Sequence, residues 1–251
     1  MTQQKTILIT GATAGIGLAC AQHFIAQGER VLITGRNQDK LEAVSQQLKT
    51  LAEDHNQVVP ILCDSADLSQ IKAMSAKLQA DNIRLDALVL NAGVFYPALF
   101  QESTEDLFDQ TFAINVKGPF YTLQALLPVL NNPASVVLVS SVAVRKAFAT
   151  ASVYSASKAA IEGYAGVLNV ELADKGIRIN SIRPGITLTE IQHKAGMTEQ
   201  DIADLQENMK GTPLGRVLAT EDMIPAIAYL VSDASEGLRN AHLDIDGGFA
   251  L

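Results

Sequence analysis

Hydrophobic positions along the chain fall into two alternating patterns. Short runs of aliphatic and β-branched residues predict strands, and longer segments with apolar residues every three or four positions predict helices. The strand-like runs are residues 6–10, 30–34, 58–62, 87–90, 135–140, 178–183 and 241–245. The helix-like segments are residues 16–27, 40–52, 67–79, 105–130 and 153–174. This alternation predicts an α/β fold with a doubly wound parallel sheet.

The strand-like run at residues 135–140 is almost entirely apolar, as strands buried on both faces must be. The connections are short, and no Ser/Pro-rich linker, repeat or low-complexity tract interrupts them. Of the 251 residues, 48% are apolar and only 18% are charged, against about 25% charged in an average soluble domain. We therefore expect one domain with a large core, spanning residues 1–251.

Residues 186–216 depart from this rhythm because they form a longer connection than the fold needs. The apolar residues of this segment are Ile191, Met197, Ile202, Leu205 and Met209. A long excursion after a strand often forms a lid over a substrate, which is our prediction here. The alternative is a pair of short packing helices without functional motion. His193 in the same segment is a candidate substrate contact.

The formal net charge of −8 excludes some classes of partner. An acidic surface repels the phosphates of nucleic acids and anionic lipids, so we expect neither nucleic acid nor membrane as a partner. No apolar stretch is long enough to cross a bilayer and no secretory segment opens the chain, which predicts a cytoplasmic protein. The histidines are scattered, and Cys20 and Cys63 are expected to be buried thiols, so no metal site is predicted.

A glycine-rich turn joins the first predicted strand to the first predicted helix. Gly11 permits a tight turn, Gly15 lets the backbone approach a pyrophosphate, and Gly17 lets the helix pack closely on the sheet. The helix N-terminus then offers free N–H groups and a partial positive charge to an anion. Thr13 and Ile16 lie in the same turn, and we expect the turn as a whole to bind a dinucleotide.

The end of the second predicted strand bears on which nicotinamide cofactor binds. An Asp or Glu at this point usually holds the ribose hydroxyls of NAD. Here Thr34 and Gly35 are followed by Arg36 and Asn37, with no acid. Because Arg36 can pair with a 2′-phosphate, the sequence favours NADP(H). NAD(H) remains possible if Arg36 is only a solvated loop residue.

Tyr154 and Lys158 lie four residues apart in a predicted helix and therefore share a face. A phenol titrates near ~10, and a neighbouring ammonium, helped by an oxidised nicotinamide, is expected to lower the pKa of Tyr154. Tyr154 can then give a proton to a carbonyl oxygen as hydride reaches the carbon. Lys158 can also hydrogen bond to the nicotinamide ribose. Such a pair is common on protein surfaces, so the residues around it determine whether it is interpreted as catalytic or as a surface pair.

Further polar positions accompany this pair. Ser141 follows the fifth predicted strand and can hold a carbonyl oxygen in place, whereas no role is predicted for the adjacent Ser140. Asn115 interrupts an apolar helix and needs either a local bend or a buried polar partner. After the fourth strand comes a small polar turn that can approach a cofactor, made by Asn91, Ala92 and Gly93.

Taken in order, these motifs closely resemble the compact branch of the short-chain dehydrogenase/reductases. The resemblance rests on the T-G-x-x-x-G-I-G turn, N-A-G, the helix asparagine, the Ser–Tyr–Lys set, and Pro184 with Gly185 after the sixth strand. It extends over essentially the whole chain, including the ending Asp246-Gly247-Gly248. It implies a seven-stranded Rossmann fold in one domain and an NAD(P)-dependent oxidoreductase.

The resemblance also implies roles for single residues. The catalytic tetrad that it implies is Asn115, Ser141, Tyr154 and Lys158, with the asparagine holding a water of a proton relay. The cofactor contacts that it adds are Asp64 near the adenine, Asn91 in the cleft, and Ile186 and Thr189 on the carboxamide side of the nicotinamide. Members are commonly homodimers or homotetramers built on the helices that carry the asparagine and the tyrosine.

The function expected from these observations is interconversion of a small-molecule ketone or aldehyde and an alcohol by hydride transfer. A non-catalytic nicotinamide-sensing protein on the same fold is an alternative, although such proteins typically lack the Tyr or the Lys. A reductase of carrier-bound 3-oxoacyl thioesters is another. The neutral segment at residues 130–133 and the net charge of −8 argue against an acidic carrier. Arg145 and Lys146 either lie in a solvated loop or meet an acidic group of the substrate.

Overall fold

A seven-stranded parallel sheet forms the centre of the computed structural model, which describes residues 4–191 and 195–251. The strands are β1 (Thr6–Ile9), β2 (Arg30–Gly35), β3 (Val58–Leu62), β4 (Leu85–Leu90), β5 (Leu130–Val139), β6 (Ile177–Pro184) and β7 (His242–Ile245). They lie in the order β3-β2-β1-β4-β5-β6-β7, and every neighbouring pair is parallel. From β1 the chain winds first to the β3 edge and then to the β7 edge. This confirms the predicted doubly wound α/β fold.

Helices cover both faces of the sheet. They are α1 (Gly15–Ala26), α2 (Gln38–Lys49), α3 (Leu68–Ala80), α4 (Glu105–Phe112), α5 (Gly118–Leu126), α6 (Ser152–Glu171), α7 (Glu199–Met209) and α8 (Ile224–Val231). Side-chain caps determine where several of them begin. The Asn37 side chain accepts a main-chain N–H at the start of α2, Asp67 does so for α3, and Thr104 does so for α4.

The core consists of two apolar layers, one on each face of the sheet, because side chains alternate along each strand. In β1, Ile7 and Ile9 pack into the layer that includes residues of α1, α2 and α8. Leu8 packs into the layer that includes residues of α3, α5 and α6. All three side chains are fully buried.

The structure corrects the prediction of one helix over residues 105–130. A π-helical turn at Ala113–Lys117 separates α4 from α5, a short 3-10 turn follows α5, and Leu130 already belongs to β5. The π turn lies around Asn115, whose buried amide is hydrogen bonded to Val94 and Ser157. A local change of helix geometry and a buried polar partner are thus both present at this asparagine.

Candidate active site

A cleft of about 530 Å³ lies at the carboxyl ends of the strands. The strand order reverses between β1 and β4, so the loops after these two strands diverge and leave a crevice. The predicted cofactor-binding residues that line it are Gly11, Thr13, Gly15, Ile16, Arg36, Asp64, Asn91, Ala92, Gly93, Tyr154, Lys158, Pro184, Gly185, Ile186 and Thr189. Gly17 lies buried behind this lining. The structure therefore brings residues from six strand ends into one cleft.

The glycine turn after β1 has the shape that a dinucleotide phosphate requires. Gly11 and Gly15 have φ angles of 63° and 55°, which side-chain-bearing residues rarely adopt. A Cβ atom on Gly17 would lie only 2.6 Å from the carbonyl oxygen of Gly11 and 2.5 Å from the Asn91 Nδ2. Helix α1 begins at Gly15 without a side-chain cap, so the turn leaves its first N–H groups for an anion. These residues fit a pyrophosphate.

Thr10 and Asn91 hold the glycine turn against the loop that follows β4. The Thr10 hydroxyl accepts hydrogen bonds from the main-chain N–H groups of Asn91 and Ala92, each at 3.0 Å. The Asn91 side chain donates to the carbonyls of Thr10 and Gly11 at 3.0 and 3.2 Å. The Asn91 amide thus shapes the cleft by fixing main chain. Sequence reasoning gave no role to Thr10, although a buried threonine directly before the glycine turn is a usable signal.

The β2 and β3 ends of the cleft carry its exposed charges. Arg36 follows β2, and its side chain is solvent-exposed at the cleft. Asp64 follows β3, is half-buried, and accepts a hydrogen bond from the Ala66 N–H at 2.9 Å. Lys40 in the first turn of α2 forms a 2.8 Å ion pair with Glu190 on the opposite side of the cleft. This end therefore carries one exposed guanidinium and one ammonium that is held by an ion pair.

Tyr154 lies in the cleft near the start of α6, with the Phe95 ring packed edge-on against it at a centroid distance of 5.0 Å. Burial raises the pKa of Tyr154, and a hydrogen bond with the Ser141 side chain opposes this. The spacing of Tyr154 and Lys158 predicts that the ammonium, helped by an oxidised nicotinamide, lowers this pKa. In the structure, that ammonium lies 5.7 Å from the ring centroid, and burial dominates. The phenol is therefore protonated at neutral pH.

Lys158 is buried beneath the cleft, one turn along α6 from Tyr154. Its side chain is only 4% exposed, and its Nζ donates a 2.7 Å hydrogen bond to the Val139 carbonyl at the end of β5. Burial lowers the pKa of Lys158 to about 8, and the Glu162 carboxylate acts in the opposite direction. The charge of this ammonium is thus sensitive to pH just above neutrality.

Ser141 and Asn115 differ in how they stand to the cleft. Ser141 caps a 3-10 turn at Val142–Val144, and its hydroxyl accepts a hydrogen bond from the Ala143 N–H at 3.1 Å while facing Tyr154. Asn115 does not line the cleft, and its side chain is 1% exposed. Both of its amide hydrogens are used, towards the Val94 carbonyl and Ser157. A relay water can therefore only donate to Asn115, not accept from its side chain.

Apolar side chains make up much of the cleft lining. The apolar side chains there include Phe95, Val142, Phe148, Ile186, Ile191, Met197 and Leu205. Leu205 comes from α7, so the segment at residues 186–216 contributes side chains to the cleft lining. That this segment forms a lid stays a prediction. His193 lies outside the described residues.

Arg145 and Lys146, after Ser141, both have partners within the protein, although the Arg145 side chain remains exposed to solvent. Arg145 forms an ion pair with Asp244 in β7. The Lys146 Nζ lies 4.0 Å from the centroid of the Phe249 ring and donates to the Phe249 carbonyl. The exposure of Arg145 agrees with the alternative of a solvated loop. These contacts connect the loop after β5 to β7 and to the residues that follow β7.

Residues 4–191 and 195–251 contain neither a metal-binding cluster nor a membrane-spanning helix. No group of three or more His, Cys, Asp or Glu in these ranges is arranged to hold a metal ion. No helix in them is both long and apolar enough to cross a membrane. Cys20 and Cys63 are both buried, as expected from the sequence.

Comparison with known proteins gives one consistent family. The model of the short chain dehydrogenase family matches residues 5–200. A D-threitol dehydrogenase of Mycolicibacterium smegmatis is 32% identical, over 98% of this chain and 93% of its own length. A 3-oxoacyl-(acyl-carrier-protein) reductase of Thermotoga maritima is 30% identical, over 98% of each chain. The crystal structure of levodione reductase superposes with a TM-score of 0.89 at 26% identity, covering 98% of this chain and 97% of that one.

Proposed function

The chain belongs to the short-chain dehydrogenase/reductase family, and we propose that it is an NADP(H)-preferring carbonyl reductase or alcohol dehydrogenase with Tyr154 as its acid–base group. The observation that carries this proposal is the position of the Tyr154 phenol. It faces the cleft, is hydrogen bonded to the Ser141 side chain, and lies one helical turn from the buried ammonium of Lys158. A proton donor is thereby held against the wall of a cleft whose glycine turn fits a dinucleotide.

Each group of the tetrad has a chemical task in this proposal. The nicotinamide cofactor, when bound, supplies or accepts the hydride. Tyr154, protonated at neutral pH, gives its proton to the carbonyl oxygen, and the Ser141 hydroxyl holds that oxygen in place. Lys158 supplies a positive charge that favours the phenolate left after proton transfer. Asn115 holds the π turn next to Ser157 and can accept a hydrogen bond from a relay water.

The preference for NADP(H) rests on the end of β2. Arg36 is exposed there, no acidic residue follows the strand, and a guanidinium pairs well with a phosphate. Asp64, Ile186 and Thr189 line the same cleft, which supports their assignment to the adenine and carboxamide ends. The experiment that measures this is a comparison of kcat/KM with NADPH and with NADH.

The substrate that this site favours is an apolar ketone or aldehyde. Aliphatic and aromatic side chains make up much of the described cleft lining, and they give a polyol or a charged chain few partners. The 30% identity to a 3-oxoacyl-(acyl-carrier-protein) reductase keeps a thioester substrate as the second candidate. A nicotinamide-sensing role is the third, which the filled tetrad argues against.

The test is loss of nicotinamide absorbance at neutral pH with a panel of matched carbonyl compounds. The panel contains cyclic and aryl ketones, quinones, keto sugars and 3-oxoacyl thioesters. We expect turnover with NADPH and an apolar ketone, and none with the Tyr154→Phe variant. Tight NADPH binding without turnover of any compound would favour the sensing role, and turnover only of thioesters would favour the second candidate.

We also propose that the protein forms a homodimer or homotetramer. Exposed apolar side chains occur on α4, α5 and α6, the helices on which such assemblies are expected; they are Phe108, Tyr121, Val167 and Val170. Light scattering after gel filtration measures the mass directly, and a monomer would contradict the proposal. The cytoplasmic location expected from the sequence stays a prediction.

A further inference from the structure

Glu162 continues the face of α6 that carries the catalytic pair. It lies four residues after Lys158 and eight after Tyr154, so the three side chains follow one stripe of the helix. The Glu162 side chain is only 11% exposed. Carboxylates are seldom buried to this extent unless they are paired and hydrogen bonded, so the partners of Glu162 indicate what it does.

The partners of Glu162 come from the ends of two neighbouring strands. Its Oε1 accepts hydrogen bonds from the Ser140 hydroxyl at 2.6 Å and from the Arg183 Nε at 2.8 Å. Its Oε2 accepts from the Arg183 Nη2 at 2.6 Å. The Arg183 contact is therefore bidentate, which is the geometry that orients a guanidinium best. Ser140 follows β5 directly, and Arg183 is the penultimate residue of β6.

Both partners stand next to residues of the cleft. Ser140 precedes Ser141, whose hydroxyl meets Tyr154, and Arg183 precedes Pro184 in the cleft lining. Lys158 holds the Val139 carbonyl, one residue before Ser140. Successive turns of α6 thus hold successive residues at the end of β5. A displacement of Ser140 would displace Ser141 relative to the phenol.

We propose that Glu162 is a positioning residue that fixes the Ser141 end of β5 and provides the countercharge for the Lys158 ammonium. This proposal rests on the function proposed above. Glu162 acts through Ser140 and Lys158 and touches neither substrate nor cofactor. The 140–162–183 cluster, meaning Ser140, Glu162 and Arg183, is accordingly part of the machinery that prepares the site for proton transfer.

Other ionisable groups lie next to this cluster and contribute to its electrostatic energy. Arg183 also lies 3.4 Å from Asp244 in β7, and the His242 Nδ1 lies 3.9 Å from the Glu162 carboxylate. Arg183 and Ser140 outweigh burial and lower the pKa of Glu162, so it is ionised at neutral pH. The Glu162 charge in turn raises the pKa of Lys158 against the effect of burial. Removing the charge should therefore make Lys158 lose its proton at lower pH.

The decisive measurement is the titration midpoint of Lys158, followed by NMR in protein labelled with 13C at lysine Cε. The Lys158 signal is identified by its absence from a Lys158→Arg variant. We expect a wild-type midpoint of about 8 and a decrease of roughly half a unit to one unit in Glu162→Gln. Arg183→Met removes the competing cation, so it should move the midpoint upwards. Glu162→Asp keeps the charge and should stay close to wild type.

Glu171→Gln is the matched control, because it removes the same charge from an exposed position on the same helix. It should leave the Lys158 midpoint unchanged. Ser140→Ala keeps the Glu162 charge and removes only the hydrogen bond between Ser140 and Glu162. We expect kcat to fall several-fold while the alkaline limb of the kcat profile against pH stays in place. Glu162→Gln should lower kcat and also move that limb to lower pH.

Equal Lys158 titration midpoints in the wild type, Glu162→Gln and Arg183→Met would contradict the countercharge role of Glu162, even if all variants were less stable. An unchanged kcat in Ser140→Ala would overturn the positioning of Ser141. If Glu162→Gln does not fold, the upward shift in Arg183→Met and the Ser140→Ala rate decide instead. If the wild type turns over no carbonyl compound, the proposed function fails, and the NMR titration still decides the countercharge.

Discussion

The two ends of the cleft are built in different ways. At the Tyr154 end, polar side chains are buried and held by main-chain or side-chain partners, as Ser141, Lys158 and Asn115 show with exposures of 8%, 4% and 1%. At the β2 end, the cleft consists of glycine backbone and the exposed side chain of Arg36. The first arrangement suits proton transfer, which depends on position. The second suits binding, because a flexible cation can reach a phosphate.

This difference predicts how mutations at the two ends behave. Preorganised buried groups act on kcat, and their removal leaves the partners unsatisfied. An exposed cation acts on affinity, and screening by solvent limits its contribution.

Tyr154→Phe tests the buried end most directly. Removing the hydroxyl takes away the proton donor, so kcat should fall by roughly 10³-fold or more. NADPH affinity, measured by fluorescence, should change little. Tyr121→Phe, which alters a partly exposed tyrosine on α5, serves as the control and should retain full turnover. Full turnover by Tyr154→Phe would remove the functional distinction between the two ends.

Gly17→Ala tests the backbone of the binding end. The added Cβ would meet the Gly11 carbonyl oxygen at 2.6 Å, so the turn must shift, and NADPH affinity should weaken roughly 10- to 100-fold. Gly163→Ala is the control, since a Cβ there has no heavy atom within 4 Å. It should leave affinity unchanged. Equal affinities of Gly17→Ala and wild type would show that the close packing of this turn is not needed for binding.

The pH dependence tests the charge at the buried end. Because burial lowers the pKa of Lys158 to about 8, its ammonium is lost above that pH, and ketone reduction should fall about tenfold between pH 8 and 9.5. In the unfolded chain the same group titrates near ~10.4. Between these values the unfolded state binds more protons, so the Lys158 contribution to the free energy of unfolding rises with pH. An alkaline limb that is identical in Lys158→Arg would contradict the assignment.

Arg36→Ala should have the smallest effect. The ratio of kcat/KM with NADPH to that with NADH should fall roughly five- to tenfold, since one exposed charge-assisted contact is lost. Activity with NADH should stay near the wild-type value. Lys72→Ala, an exposed cation on α3, should leave the ratio unchanged. If the ratio were equally unaffected in Arg36→Ala, another group would have to recognise the phosphate.

Much of the fold was predictable because its signals are local. Strand-like runs and helical periodicity located seven strands to within a few residues, except at β5, which begins at Leu130 instead of residue 135. The helix over residues 105–130 was predicted as continuous, and that was wrong. The break arises because Asn115 is bonded to Val94 and Ser157, which are 21 and 42 residues away. No local pattern carries contacts of that kind.

Local sequence patterns specify the parallel α/β architecture, the glycine turn and the Tyr154–Lys158 pair, because each depends on spacing between near neighbours in the chain. The electrostatics of the site depend on the tertiary structure. It showed that burial raises the pKa of Tyr154, and that Ser140, which had no predicted role, is bonded to Glu162. The i, i+4 spacing of residues 154, 158 and 162 places the three side chains on one face of α6. The hydrogen-bond partners of Glu162 are Ser140, directly after β5, and Arg183 in β6, and only the folded chain brings them next to it.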